Sequence, residues 1–167
     1  MRLRQALLDS GNIAALPTDT RLQRLREAAQ ISEAKLKDSE GALQAWLGIL
    51  GLTPADEEAV RTLRRLLTRA ERWEALSQVL ERHAAACEKS SDRVSLYREV
   101  ANLQQDKLGA LDDAIDSYEH LRNLEPDNNA DAVALTDLYQ LTKRNEQAAE
   151  LIEWRLDQED SGAPRLS

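Results

Sequence analysis

Residues 109–126 read GALDDAIDSYEHLRNLEP, and residues 37–54, seventy-two positions earlier, read KDSEGALQAWLGILGLTP. In the later stretch Ala114, Ile115, Tyr118, Leu121 and Leu124 recur three and four residues apart, the period of one helix face. Ala42, Leu43, Trp46, Ile49 and Leu52 occupy the same places in the earlier one, and Pro54 falls on Pro126. Moving outward, the register holds without a gap from residues 20–83 over residues 92–155. It places Arg26 on Arg98, Glu27 on Glu99, Ala29 on Ala101, Leu63 on Leu135, Leu66 on Leu138 and Arg72 on Arg144. Non-identical pairs keep their character, as in Leu22 with Val94, Ile31 with Leu103 and Leu80 with Ile152. An ungapped internal register of this length marks a duplicated, stacking architecture in which each unit buries its apolar face on the next.

Each unit divides into four helices. In the second copy Val94, Tyr97, Val100, Ala101 and Leu108 define the first, and the quoted stretch is its partner across a turn at Gly109. A third helix follows Pro126 with Val133, Leu135, Leu138 and Tyr139, and a fourth carries Ala148, Leu151, Ile152 and Leu156. Thr53 is expected to cap a helix opened by Pro54, with Asp56 and Glu57 in its first turn. Asp127 or Asn128 would cap its copy, and Arg61, Arg64, Arg65, Arg69 and Arg72 lie toward the other end. Short connections make neighbouring helices antiparallel. The expected fold is all-α, a right-handed α-α superhelix, or solenoid, of about four antiparallel hairpins with an N-terminal partial helix. Residues 1–10 overlie 73–82, so 1–19 read as that capping helix and a linker. Residues 20–91 and 92–160 read as the two four-helix units, and 161–167 as a disordered tail.

Composition supports helix and narrows function. Six Gly, four Pro and no Phe among 167 residues leave a core of Leu and Ala with a few Trp and Tyr. No apolar run approaches the ~20 residues needed to span a bilayer, so no membrane insertion is expected. The net charge of -8 is concentrated in residues 109–160, with fourteen Asp/Glu against four Lys/Arg. Such a field repels phosphate backbones and argues against a nucleic-acid partner. The single Cys87 cannot form an internal disulfide, residues 1–20 lack a secretory hydrophobic segment, and a cytoplasmic setting is expected.

Leu111, Ala114, Tyr118, Leu124 and Pro126 resemble the second helix and closing proline of the tetratricopeptide repeat (TPR) family, and Leu135, Tyr139 and Ala148 continue the pattern. The resemblance covers residues 20–156 and is looser in the first unit, where Leu76 replaces a small residue. It departs from the family where the usual first-helix glycine is represented by Ala29, Arg64, Ala101 and Thr136. It departs again in first hairpins slightly longer than the usual 34 residues. The chain reads as a divergent stretch of a longer bacterial TPR array.

No catalytic or cofactor constellation is visible. His83 and His120 lack ligand spacing, no glycine-rich phosphate loop occurs, and Asp112 and Asp113 are explained by a helix N-terminus. No enzyme activity, metal or cofactor is expected. The resemblance instead implies a concave groove lined by the first helix of each hairpin. Its residues would be Gln23, Arg26 and Gln30, then Arg61 and Arg65, then Arg98, Asn102 and Gln105, then Asp137. In this reading the arginines pair with carboxylates of a bound peptide or protein segment, and the amides bond its backbone. The competing reading is a solvated helix face with local charge pairs. Trp46 matches Tyr118 and is assigned to the core, whereas Trp154 matches Arg82 and is a candidate terminal interface. The expected function is a protein-interaction scaffold, with a structural spacer or self-association element as the alternative.

Overall fold

The computed structural model describes residues 2–36 and 38–162, and all of its described regular structure is helical. Two compact units emerge, residues 1–87 and 88–167. The first holds α1 (Arg2–Gly11), α2 (Thr18–Gln30), α3 (Ser39–Leu52), α4 (Glu57–Arg69) and α5 (Trp73–Ala86). The second holds α6 (Ser90–Leu103), α7 (Leu111–Leu124), α8 (Asn129–Leu141) and α9 (Asn145–Gly162). Within each unit every helix packs on its neighbours in sequence, as a stack of hairpins does.

The duplication seen in sequence is reproduced bond by bond. The amide of Asp38 reaches the Ser32 carbonyl at 2.9 Å, and Ala110 reaches Gln104 at 2.9 Å. Thr53 closes on Ile49 at 2.8 Å, and Glu125 on Leu121 at 2.8 Å. Arg72 bonds back to Leu67 at 3.0 Å, and Arg144 to Tyr139 at 2.8 Å. These last bonds close equivalent turns at Glu71 (φ 53°) and Lys143 (φ 61°), both left-handed without being glycine. The amide three residues past each helix end bonds five residues back, satisfying an otherwise orphaned helix-terminal carbonyl.

The extra length of the first hairpins also has a structural form. In both copies the first helix widens into a π-helical turn, Ile31–Leu36 and Gln104–Leu108. A π turn absorbs an added residue without breaking the helix. The second ends in Gly109 at φ 63°, which glycine adopts without side-chain strain.

The caps differ from the expectation at one place. Thr53 ends α3 rather than opening a helix, Pro54 lies in the intervening turn, and Asp56 caps α4 by accepting from the Ala59 amide at 2.9 Å. The aspartate carries formal charge toward four unsatisfied N–H groups, so it outcompetes the threonine three residues earlier. Its counterpart Asn128 caps α8 through the amides of Ala130 and Asp131. Of the arginine run, Arg69 alone lies in the last turn of α4, and Arg72 precedes α5.

Cores follow the predicted stripes. Ala59, Val60, Leu63, Leu66 and Leu67 turn inward on α4, while Ala42, Trp46, Ile49 and Leu50 fill the space beneath α3. The second unit gathers Val94, Ala101, Ala114, Ile115, Tyr118, Leu121, Leu135 and Leu138. Burying each such leucine or isoleucine contributes about 1.5–3 kcal/mol. Where the family usually has glycine, Ala29 and Ala101 are fully buried and Thr136 folds its hydroxyl back onto the Ala132 carbonyl at 2.7 Å. Leu108 and Leu156 depart from their predicted core roles at 38% and 56% exposed: Leu108 closes the π turn, and α9 at Arg155 is already level with Asn129, where α8 begins. The expected tail at 161–167 falls outside the described residues from 163 onward, and α9 runs through Gly162.

Candidate interaction faces

In the first unit the predicted groove residues lie on α2 and α4. Arg26 on α2 donates to Asp56 at 2.7 Å and to Glu58 at 3.1 Å, reaching the opening of α4. Arg65 on α4 answers by donating to Glu33 at 2.8 Å, and Glu33 also accepts the Trp46 indole N–H at 2.8 Å. The two helices are thus laced by reciprocal arginine contacts. Gln23 spends its amide on Glu27 at 3.2 Å. Arg61 and Gln30 are exposed on the same face and have no hydrogen bond or ion pair among the described residues.

The second unit uses the equivalent arginine differently. Arg98 on α6 donates through Nε and Nη2 to both oxygens of Asp131, at 2.8 and 2.7 Å, and through Nη2 to Glu125 at 3.0 Å. Hydrogen bonding to Asp131 first, and the opposing carboxylate charges after it, raise the guanidinium pKa against the cost of burial. Asp131 replaces Ala59 of the first copy and is among the few buried charged residues, so Arg98 is the counter-ion that makes its burial tolerable. Asn102 is exposed and accepts the Tyr118 hydroxyl at 2.8 Å through Oδ1, leaving its N–H donors outward. Burial raises the Tyr118 pKa, with nearby Asp131 and Asp106 adding to it. Gln105 is half-buried and Asp137 is exposed.

Gln23, Arg26 and Gln30 thus lie on α2 and Arg61 and Arg65 on α4 of one unit, and Arg98 and Asn102 lie on α6, Gln105 in the π turn that follows it and Asp137 on α8 of the other. Sequence reading missed the internal carboxylates that hold Arg26, Arg65 and Arg98. Asp131 was detectable as a lone acid at a helix position whose copy is alanine. Trp154 is half-buried against the second core with the Arg122 guanidinium 4.7 Å above its ring. His83 is buried with Nδ1 3.0 Å from the Pro54 carbonyl, and His120 meets the Tyr97 ring edge-on at 4.6 Å. Among the described residues no group of three His, Cys, Asp or Glu is placed to hold a metal ion. No described helix is long and apolar enough to cross a membrane.

No family model matches the chain, and no curated protein matches it. Solved structures do. A MamA protein structure aligns over 100% of this chain and 93% of its own, with a TM-score of 0.54 at 16% identity. MamA AMB-1 aligns over 98% and 93%, with a TM-score of 0.53 at 16% identity. MamA from Desulfovibrio magneticus RS-1, from residue 41 to its end, aligns over 98% and 97%, with a TM-score of 0.51 at 19% identity. At these identities the likeness is one of fold, and the chain has the all-α, TPR-like helical-repeat fold that it shares with MamA.

Proposed function

We propose that the chain is a protein-interaction scaffold that takes a peptide or protein segment along its first-helix faces, with an acidic side chain of that segment seated on Arg61. The observation carrying this reading is the contrast among the arginines of α2 and α4. Arg26 and Arg65 are matched by the protein's own carboxylates, whereas Arg61 stands between them unmatched among the described residues. An arginine so placed is a ready donor fork for a carboxylate. Gln30 across from it supplies amide groups for a bound backbone. The second unit carries a polar face of its own, made by Asn102, Gln105 and Asp137. Arg98 serves there as the partner of Asp131, so it supports the face without lending its charge to a ligand. The acidic second unit disfavours a nucleic-acid ligand.

Selection of random displayed peptides on the purified chain tests this. Enriched segments are expected to carry Asp or Glu and to lose about tenfold or more in affinity for Arg61→Glu. Selection without acidic enrichment, or unchanged binding to the variant, overturns the reading.

A second reading, a self-association element, is supported by large apolar side chains left in water on the second unit. Leu141 is 65% exposed and Leu156, two positions beyond Trp154, is 56% exposed.

A further inference from the structure

The duplication allows each surface to be compared with its own copy, and two helix faces break the symmetry in opposite senses. On α4, Arg61, Arg65 and Arg69 follow one another at four-residue intervals and are all exposed. Their equivalents on α8 are Val133, Asp137 and Leu141, so this basic stripe belongs to the first unit only. On α9, Glu146, Glu150, Glu153 and Asp157 recur at four, three and four residues, all exposed on one side of the helix. Their equivalents on α5 are Glu74, Gln78, Glu81 and Ala85, so the full acidic stripe belongs to the second unit only.

The core positions of these helices kept their character through the duplication whereas the stripes did not, and of the three arginines Arg65 pairs with Glu33 of its own unit. Arg61 and Arg69 have no partner among the described residues, nor do Glu146, Glu150 and Glu153. The lengths correspond, since three arginines over eight residues span roughly 12 Å and four acids over eleven residues roughly 16 Å. The units differ in total charge in the same sense. Residues 1–87 carry twelve Asp/Glu against thirteen Lys/Arg, and residues 88–167 carry eighteen against nine.

We infer that the acidic face of α9 on one copy of this chain docks on the arginine stripe of α4 on a second copy. The contact is heterologous, joining different surfaces, so a pair of copies keeps one free acidic face and one free arginine face, on different copies, for further association. It rests on the self-association reading above and specifies its surfaces. Leu156 flanks the acidic stripe and offers apolar contact beside the charges. Exposed pairs of this kind are screened by salt, so association strengthens at low ionic strength.

Two charge-reversed full-length chains test the inference. One carries Arg61→Glu, Arg65→Glu and Arg69→Glu; the other carries Glu146→Lys, Glu150→Lys and Glu153→Lys. Sedimentation at low salt is expected to show concentration-dependent association of the native chain, weakened about tenfold or more in each variant alone. Mixing the two variants restores opposite charge across the contact and is expected to restore association. A native chain that stays monomeric up to millimolar concentration at low salt overturns the inference. So does either variant associating like the native chain, or a mixture that remains monomeric while circular dichroism shows both variants folded. Because the α9 glutamates lie outside the peptide face, their reversal leaves acidic-peptide binding at Arg61 intact, and the two proposals fail separately.

Discussion

Arg98 on α6 and Asp131 on α8 form a two-pronged ion pair, with Nε and Nη2 lying 2.8 and 2.7 Å from the two carboxylate oxygens. The Asp131 side chain is 2% exposed and that of Arg98 34%. Removing the arginine leaves a carboxylate buried without a counter-ion. Arg98→Met is therefore expected to cost about 2–4 kcal/mol, the range for breaking a buried pair lowered for the exposed part of the guanidinium. At the equivalent position the Arg26 side chain is 44% exposed, Glu58 is open to water, and Asp56, 10% exposed, keeps the Ala59 amide as a donor, so Arg26→Met is expected to cost about 1 kcal/mol or less. Urea denaturation of the two variants measures the difference, and equal losses would contradict the burial of Asp131 in solution.

Glu71 and Lys143 hold equivalent turns with positive φ, a conformation that costs a side-chain-bearing residue roughly 1–2 kcal/mol. Glycine removes that strain but adds about 0.4–1 kcal/mol of unfolded-chain freedom. Glu71→Gly and Lys143→Gly are each expected to stabilise by roughly 0.5–1 kcal/mol. Thermal melts that fall for both variants would show that the turns adopt another backbone geometry.

Two glycines of the first unit are expected to respond to alanine in opposite directions. A Cβ at Gly51 in α3 would meet nothing within 4 Å, so Gly51→Ala should stabilise by about 1 kcal/mol through helix propensity. A Cβ at Gly11 would stand 2.6 Å from Cγ of Leu25, which is fully buried. Gly11→Ala should destabilise by about 1–3 kcal/mol. A gain in melting temperature for Gly11→Ala would mean that α1 packs less closely on α2 than described.

Tyr139 donates its hydroxyl to Glu119 at 2.7 Å, and burial first, then that bond, pushes its pKa from 10.0 up to about 12. The folded state thus favours the protonated phenol more than the unfolded state does. The resulting stability is complete below pH 10 and fades as pH rises from 10 toward 12. Tyr139→Phe should lose stability at pH 8 and show a shallower decline above pH 10. A tyrosinate absorbance titration in which the native chain and this variant superimpose between pH 11 and 12.5 would refute the assignment.

Much of the architecture was legible in the chain because it is a property of local pattern repeated. Apolar spacing located the helices, and the ungapped register foretold that both copies would share turns as small as those at Glu71 and Lys143. The capping residue of α4 was misplaced because Thr53 and Asp56 both suit helix starts, and the turn geometry after Pro54 decides between them. The π turns showed only as added length, since sequence does not indicate whether an extra residue enters a loop or widens a helix.

The candidate faces were legible by position and not by state. That Arg26, Arg61, Arg65 and Arg98 point away from the apolar stripes follows from helical periodicity alone. Their neighbours from other helices lie about thirty residues away, as Glu33 does from Arg65 and Asp131 from Arg98. Nothing in a single helix reveals which arginine will be neutralised.

By itself the sequence determined that this protein is helical, duplicated and built from stacking hairpins, because the period of its apolar residues dictates which faces are withdrawn from water. Only the tertiary structure decided which charges are already matched and which face outward. Pairing depends on distances of a few ångströms between segments remote in the chain, and those distances exist only once the hairpins have packed.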